Sequence, residues 1–144
     1  MSFRNLFTAA VLASAWAVFG VVAVTNAFLP ALRQSAHPRI VNISSSTGSL
    51  SLAADRAVGG FAAYRSSKAA LNALTIFYSH SLAAHGFKVN ALAPGLRRTG
   101  LNAVAAASGG DPAEAAAGAV YLALLPDDGP TGQFLSWDGT QVPW

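Results

Sequence analysis

The chain contains no cysteine. That excludes a disulfide framework, a thiolate nucleophile and any cysteine-based metal site. Charge is scarce too: charged residues make up 10% of the 144, and Lys68 and Lys88 are the only two lysines. Nine basic residues stand against six acidic ones, scattered, with Arg97-Arg98 as the one basic doublet. A nucleic-acid footprint needs a clustered positive patch, so a nucleic-acid partner is not expected. His37, His80 and His85 make neither an HxxxH nor an HExxH pattern. No metal site is expected.

What the chain has in quantity is apolar surface. A hydrophobic content of 53% argues against disorder and for one domain with a sizeable core. Surface with so little charge is expected to be hidden in an oligomer, a membrane or a further part of the fold. From Asn5 to Leu32 there is no charged residue, and Ala13-Ser14-Ala15 has the look of a signal-peptidase site. Such a run is long enough to span a bilayer, which gives an exported or membrane-anchored reading. The opposing reading is a buried helix of an α/β protein. Thr25, Asn26 and the terminating Pro30 favour the second, and membrane association is not expected.

The rest of the chain alternates. A helix is expected over residues 19–32 and a short β-branched strand over 39–44. A small, polar loop punctuated by Gly48, Gly59 and Gly60 follows. The longest helical pattern runs over 62–85 and stops at Gly86, a left-handed terminating position. A second strand over 87–92 is closed by Pro94-Gly95, and AVAAASGG reads as flexible or loosely helical. Asp111, Pro112 and Glu114 give a helix its cap, first residue and capping-box acid, and that helix extends to about Leu125. A last strand covers 133–137. Helices alternating with short apolar strands predict a parallel, doubly wound α/β sheet.

Within the long helix, AAYRSSKAAL places Tyr64 four residues before Lys68, one above the other on the same face. A phenol, with a reference pKa near 10, is a weak proton donor or acceptor at neutral pH. A neighbouring ammonium stabilises its phenolate and makes it useful. The ordinary alternative is a solvated lysine beside a half-buried tyrosine. The strand ending in Asn42-Ile43-Ser44-Ser45 brings hydroxyls to the carboxyl end of a parallel sheet, where open α/β folds bind ligands. The next strand ends in Pro94-Gly95 at the same rim, with Thr99 close behind.

RIVNISSSTGS, AAYRSSKAALNAL and VNALAPGLRRTGL, in this order, resemble the serine segment, Tyr-xxx-Lys helix and Pro-Gly-xxx-Thr segment of the short-chain dehydrogenase/reductase family. With FLSWDGTQVPW at the end, the chain looks most similar to the carbonyl-reductase-like branch that includes sniffer and C-factor proteins. The likeness covers about residues 18–144. It implies the C-terminal part of a Rossmann-type sheet and NAD(P)-dependent hydride transfer to or from a small-molecule carbonyl or alcohol. Tyr64 would be the acid/base, and Lys68 would assist it and hold the nicotinamide ribose. Ser45 would orient the substrate oxygen, with Ser44 and Ser46 as alternatives. Pro94, Gly95 and Thr99 would line the nicotinamide, Thr99 holding its carboxamide, unless it is a simple helix cap. The family further implies a cytoplasmic homodimer or higher oligomer built on the helices over 18–32 and 62–85, with Ala63, Ala70, Leu74 and Phe77 as one apolar seam.

The sequence departs from the family pattern in three places. Eighteen residues lie between Ser45 and Tyr64, a longer gap than usual, fitting an extended loop over the substrate. Ala17 falls where the family has a catalytic asparagine, by alignment on Val18-Phe19-Gly20. No glycine-rich βαβ unit for the pyrophosphate is visible, so residues 1–17 read as an atypical leader and 18–144 as a partial catalytic domain. Cofactor binding by this chain alone is therefore in question. A catalytically inactive relative kept as a dimerising module is the alternative from a different class, beside the exported protein.

Overall fold

The computed structural model describes residues 3–55, 60–101 and 103–144. Three parallel strands form one sheet in the order β1 (Arg39–Ile43), β2 (Lys88–Ala93) and β3 (Phe134–Ser136). Around it lie α1 (Phe3–Leu32), α2 (Leu50–Asp55), α3 (Ala62–Ser81), α4 (Ala103–Ser108) and α5 (Pro112–Ala123). This is the α/β arrangement that the alternation of segments predicts.

Both faces of the sheet are covered, which is why its strands are short apolar runs without a polar side. On one face Val89 and Phe87 pack with Leu82, and with Leu29 and Leu32 of α1, Ile40 and Tyr78. On the other, Leu92 packs with Leu122 and Leu125 at the end of α5, with Val41 and Leu135 beside them. Near the carboxyl end, Ala91, Ala93, Phe134 and Val142 make a third cluster, covered by Leu52 and by Trp144, which stacks on Phe134 at 5.3 Å. The two asparagines inside strands are both satisfied. Asn42 Nδ2 donates to Thr75 Oγ1 of α3 at 2.9 Å, and Asn90 bonds Pro130 O and Gln133 N–H.

The helix expected over 19–32 is the end of a longer one, since α1 begins at Phe3 and runs through the segment read as a leader. Pro30 is tolerated in its last turn. Among the described residues no helix is long and apolar enough to cross a membrane. The polar stretch read as loop contains a 3₁₀ turn at Ser46–Gly48 and α2. Ser49 Oγ accepts the Leu52 N–H at 3.1 Å, an N-cap that serine-rich composition hides. The long helix ends as α-helix at Ser81, and a 3₁₀ turn follows at Ala83–His85 before Gly86 at φ +73°. At α5, Asp111 caps the Ala113 N–H, but the Glu114 carboxylate turns to Arg97 instead of completing the capping box.

At the amino end of the sheet, Arg39 ties β1 to the segment after α5. It donates to Leu125 O at 2.9 Å and to the Asp127 carboxylate at 2.6 Å. The hydrogen bond from Arg39, then that from His37, holds the exposed Asp127 carboxyl below the usual range.

Candidate active site

At the opposite, carboxyl end, β1 and β2 deliver their following residues side by side, because Ser44 N–H donates to Leu92 O at 2.7 Å. The serine segment leaves β1 and folds back onto the first turns of α3. Gly48 makes that approach possible. A Cβ at this position would lie 2.7 Å from the Lys68 carbonyl carbon and 2.7 Å from its Cβ, so only glycine lets the turn touch the helix backbone. Arg65 Nε reinforces the contact by donating to Thr47 O at 3.3 Å.

The three serines occupy different environments. Ser44 is buried, with 2% of its surface exposed, and its hydroxyl donates to Asn72 Oδ1 at 2.5 Å. Ser45 is half-buried, and its Oγ lies 2.9 Å from Thr47 Oγ1 and accepts the Thr47 N–H at 3.3 Å. Ser46 is exposed at the start of the 3₁₀ turn.

Tyr64 lies in the first turn of α3 with 43% of its surface open to solvent. Lys68 follows one turn later, its Nζ 5.8 Å from the centre of the Tyr64 ring. The ammonium donates to the Ile43 carbonyl at 2.8 Å, and burial pulls its pKa below the ordinary lysine value. Tyr64 and Lys68 thus stand at the rim where the serine segment turns. Pro94 and Gly95 lie just past β2 on the adjoining strand, Gly95 in the left-handed region at φ +69°. Thr99 is farther along an exposed segment, and its hydroxyl accepts the Leu101 N–H at 3.4 Å, a local turn contact. Ala17 lies within α1, its side chain outside the described residues.

Two residues organise this rim without having been singled out from sequence. Arg97 is buried under the Pro94–Gly95 segment: Nε donates to Pro94 O at 2.5 Å, Nη1 to Glu114 at 2.5 Å, and the guanidinium covers Trp137 at 4.2 Å. Gly109 and Gly110 pack directly on it, with Gly110 N–H bonded to Leu96 O at 2.9 Å, so the stretch read as flexible or loosely helical is the short helix α4 with a closed glycine end. Asn72 is the second, through its hold on Ser44. Proximity of an arginine to a Pro-Gly pair gave no hint of burial, whereas the i, i+4 spacing of Lys68 and Asn72 did mark a shared face. Among the described residues no cluster of three or more histidines or carboxylates could hold a metal.

Comparison with known proteins agrees with this geometry. Residues 13–108 match the family model described as short chain dehydrogenase. The chain is 38% identical over 129 residues to C-signal of Myxococcus xanthus, covering 87% of this chain and 72% of that one. It is 34% identical to salutaridine reductase of Papaver bracteatum, over 81% of this chain but only 48% of the relative. The structure of NADPH-bound carbonyl reductase from chicken fatty liver superposes with a TM-score of 0.75 at 27% identity, over all of this chain and 59% of that one. The chain thus spans about half the length of the plant reductase and somewhat more of the chicken enzyme. Motifs, sheet order and relatives agree: this protein belongs to the short chain dehydrogenase family, on its carbonyl-reductase-like side.

Proposed function

We propose that the rim formed by Ser45, Tyr64 and Lys68 moves a proton to or from the oxygen of a small carbonyl or alcohol, in an NAD(P)(H)-dependent oxidoreductase reaction. The observation that carries this reading is the stacking of Tyr64 and Lys68 at the carboxyl end of β1, beside a serine turn packed onto the same helix. When bound, the nicotinamide supplies or accepts the hydride. The residues present fit its nicotinamide–ribose end: an ammonium, a phenol and a hydroxyl at one rim, and the Pro94–Gly95 backbone on the adjoining strand. Lys68 would hold the ribose hydroxyls, and Pro94, Gly95 and Thr99 would border the ring.

Each side chain has a distinct task. Tyr64, exposed at the rim, donates its phenolic proton to the substrate oxygen during reduction and recovers it in the reverse direction. Lys68 stabilises the phenolate with a nearby positive charge. Ser45 is the serine best placed to orient substrate, because Ser44 is committed to Asn72 inside the fold. Its Oγ accepts the Thr47 N–H and shares a hydrogen bond with Thr47 Oγ1, contacts within its own turn that hold the hydroxyl near the rim. The exposed apolar residues Phe77 on α3 and Trp16, Phe19 and Phe28 on α1 support a homodimer through these helices. By its family, the protein is proposed to act in the cytoplasm.

The deciding experiment is calorimetric titration of NADPH and then NADH into the purified chain, followed by carbonyl reduction assays. Micromolar binding, with turnover that falls about 10²–10⁴-fold in Tyr64→Phe while the fold is kept, is expected. Full activity in Tyr64→Phe, or no binding at millimolar cofactor, would overturn this reading.

A further inference from the structure

Arg97 has 8% of its surface exposed, and a buried guanidinium is costly unless its donors find partners. Nη1 reaches the Glu114 carboxylate at 2.5 Å and Asp111 O at 3.4 Å, and the guanidinium plane covers Trp137. Gly110 leaves room for it, since any Cβ there would collide with Nη1. These contacts belong to the start of α5 and the turn after β3, and they would hold an arginine in place by themselves. The bond from Nε to Pro94 O, at 2.5 Å, does something different, because it fixes one peptide plane at the rim.

Pro94 and Gly95 share a trans peptide, in which C=O and N–H point in opposite directions. Pro94 O is drawn toward Arg97, on the side where the start of α5 and the end of β3 lie. The Gly95 N–H then points toward the side of β1 and α3, where Ser45, Tyr64 and Lys68 stand, Lys68 bonded to the last carbonyl of β1. Gly95 is exposed, and its N–H has no partner among the described residues. Trp137 limits the freedom of this peptide to turn over: Gly95 sits at φ +69°, and a Cβ on it would lie 3.3 Å from Trp137 Cδ1.

We propose that Arg97 is a positioning residue of this site: by holding Pro94 O on the α5 side, it turns the Gly95 N–H toward Tyr64 and Lys68, where that N–H donates to the carbonyl oxygen of the nicotinamide carboxamide. The second half of this inference rests on the reading of the rim as a nicotinamide site. Arg97 acts through the peptide and not by contact with the ring. A backbone donor fixed in advance has no reorganisation cost when the ring arrives. It also sets what the ring must carry at that point, which is a hydrogen-bond acceptor. A ring with an acetyl group in place of the carboxamide keeps the oxygen and is accepted. A thioamide presents sulfur, a weaker acceptor, and binds less well.

The test labels the glycines of the full chain with ¹⁵N and reads the direction of the Gly95 N–H from residual dipolar couplings. Without cofactor, it should point away from Arg97 in the wild type and in Glu114→Gln, which loses the ion pair but keeps the bond to Pro94. In Arg97→Met that direction should be lost. Calorimetry with NADPH should then show affinity reduced about five- to tenfold in Arg97→Met, the worth of one hydrogen bond, and unchanged in Glu114→Gln. A merely structural arginine would lower both in step with stability. The acetylpyridine analogue should bind within about threefold of the natural dinucleotide, and bound cofactor should move the Gly95 amide proton downfield, both following from the one retained acceptor. A Gly95 N–H directed to the β3 side, wild-type direction and affinity in Arg97→Met, or a Gly95 signal unmoved by bound cofactor would each overturn the proposal. Should Arg97→Met fail to fold, the wild-type couplings and the Gly95 signal decide. The couplings need no nicotinamide, so the two failures are distinguishable. A wild type that keeps this direction yet binds no cofactor overturns the proposed activity, and with it the use of the donor, but not the hold of Arg97 on the peptide.

Discussion

Lys68 is half withdrawn from water, and the withdrawal has a sign. Burial lowers its pKa in the folded chain below the 10.5 of an exposed lysine, which the unfolded chain regains. Well below both values each state holds the proton, and the native state carries the full desolvation penalty. As pH rises through the folded value toward about 10.5, the native chain releases its proton first and that penalty fades. Lys68 should therefore make stability rise with pH across the alkaline range. Urea midpoints of the wild type against Lys68→Met should show this rise only in the wild type. A second prediction concerns Gly48, whose missing side chain brings the serine turn onto α3. In Gly48→Ala the added methyl meets backbone and cannot be accommodated by a rotamer change. The expected cost is about 1–3 kcal/mol in chemical denaturation, together with lost turnover as Ser45 is displaced from the rim.

Among the elements, the segment after β2 depends on one side chain. Arg97 joins Pro94, Glu114 and the Trp137 ring, and so holds the end of β2, the start of α5 and the turn after β3 together. Arg97→Met should cost about 1–3 kcal/mol, since charge-assisted bonds are lost while Glu114 can still reach water. Arg97→Lys should recover only part of it, because an ammonium replaces neither the fork nor the stacking plane. Thermal unfolding of the two variants checks the order. This residue also marks how far the sequence could be read. Strands and helices were legible from β-branched runs, Gly86 and the Asp111-Pro112 cap, and the rim from the Tyr64–Lys68 spacing. These are local signals. The burial of Arg97 was not legible, because it arises from groups up to forty residues away meeting on one side chain. Serine and glycine content concealed α2 for a related reason: Ser49 is a cap only once the helix after it has formed. The start of α1 was missed because its residues carry neither a cap nor a charge to mark a boundary.

For the whole molecule, the scarcity of charge and the exposure of large apolar side chains are one fact seen twice. Phe77 on α3 is 65% exposed, and Trp16, Phe19 and Phe28 on α1 are similarly open, although α1 packs along α3 and Tyr78 OH donates to Asn26 Oδ1 at 2.9 Å. A monomer rarely leaves such a surface bare, so a second copy is expected to cover it. The face that meets the sheet is a different one: Leu71 and Thr75 are buried there, whereas Ala63 and Phe77 point outward and Ala70 and Leu74 are half-covered. Burying an aromatic side chain contributes about 1.5–3 kcal/mol, and a two-fold axis counts it twice. Phe77→Asp should therefore weaken dimerisation roughly 100-fold or more, with the monomer's circular dichroism unchanged. Sedimentation equilibrium of wild type and variant measures it directly. An association constant unmoved by Phe77→Asp would remove α3 from the contact and shift the self-association to another surface, while leaving the chemistry of the Tyr64 rim to be judged by cofactor binding alone.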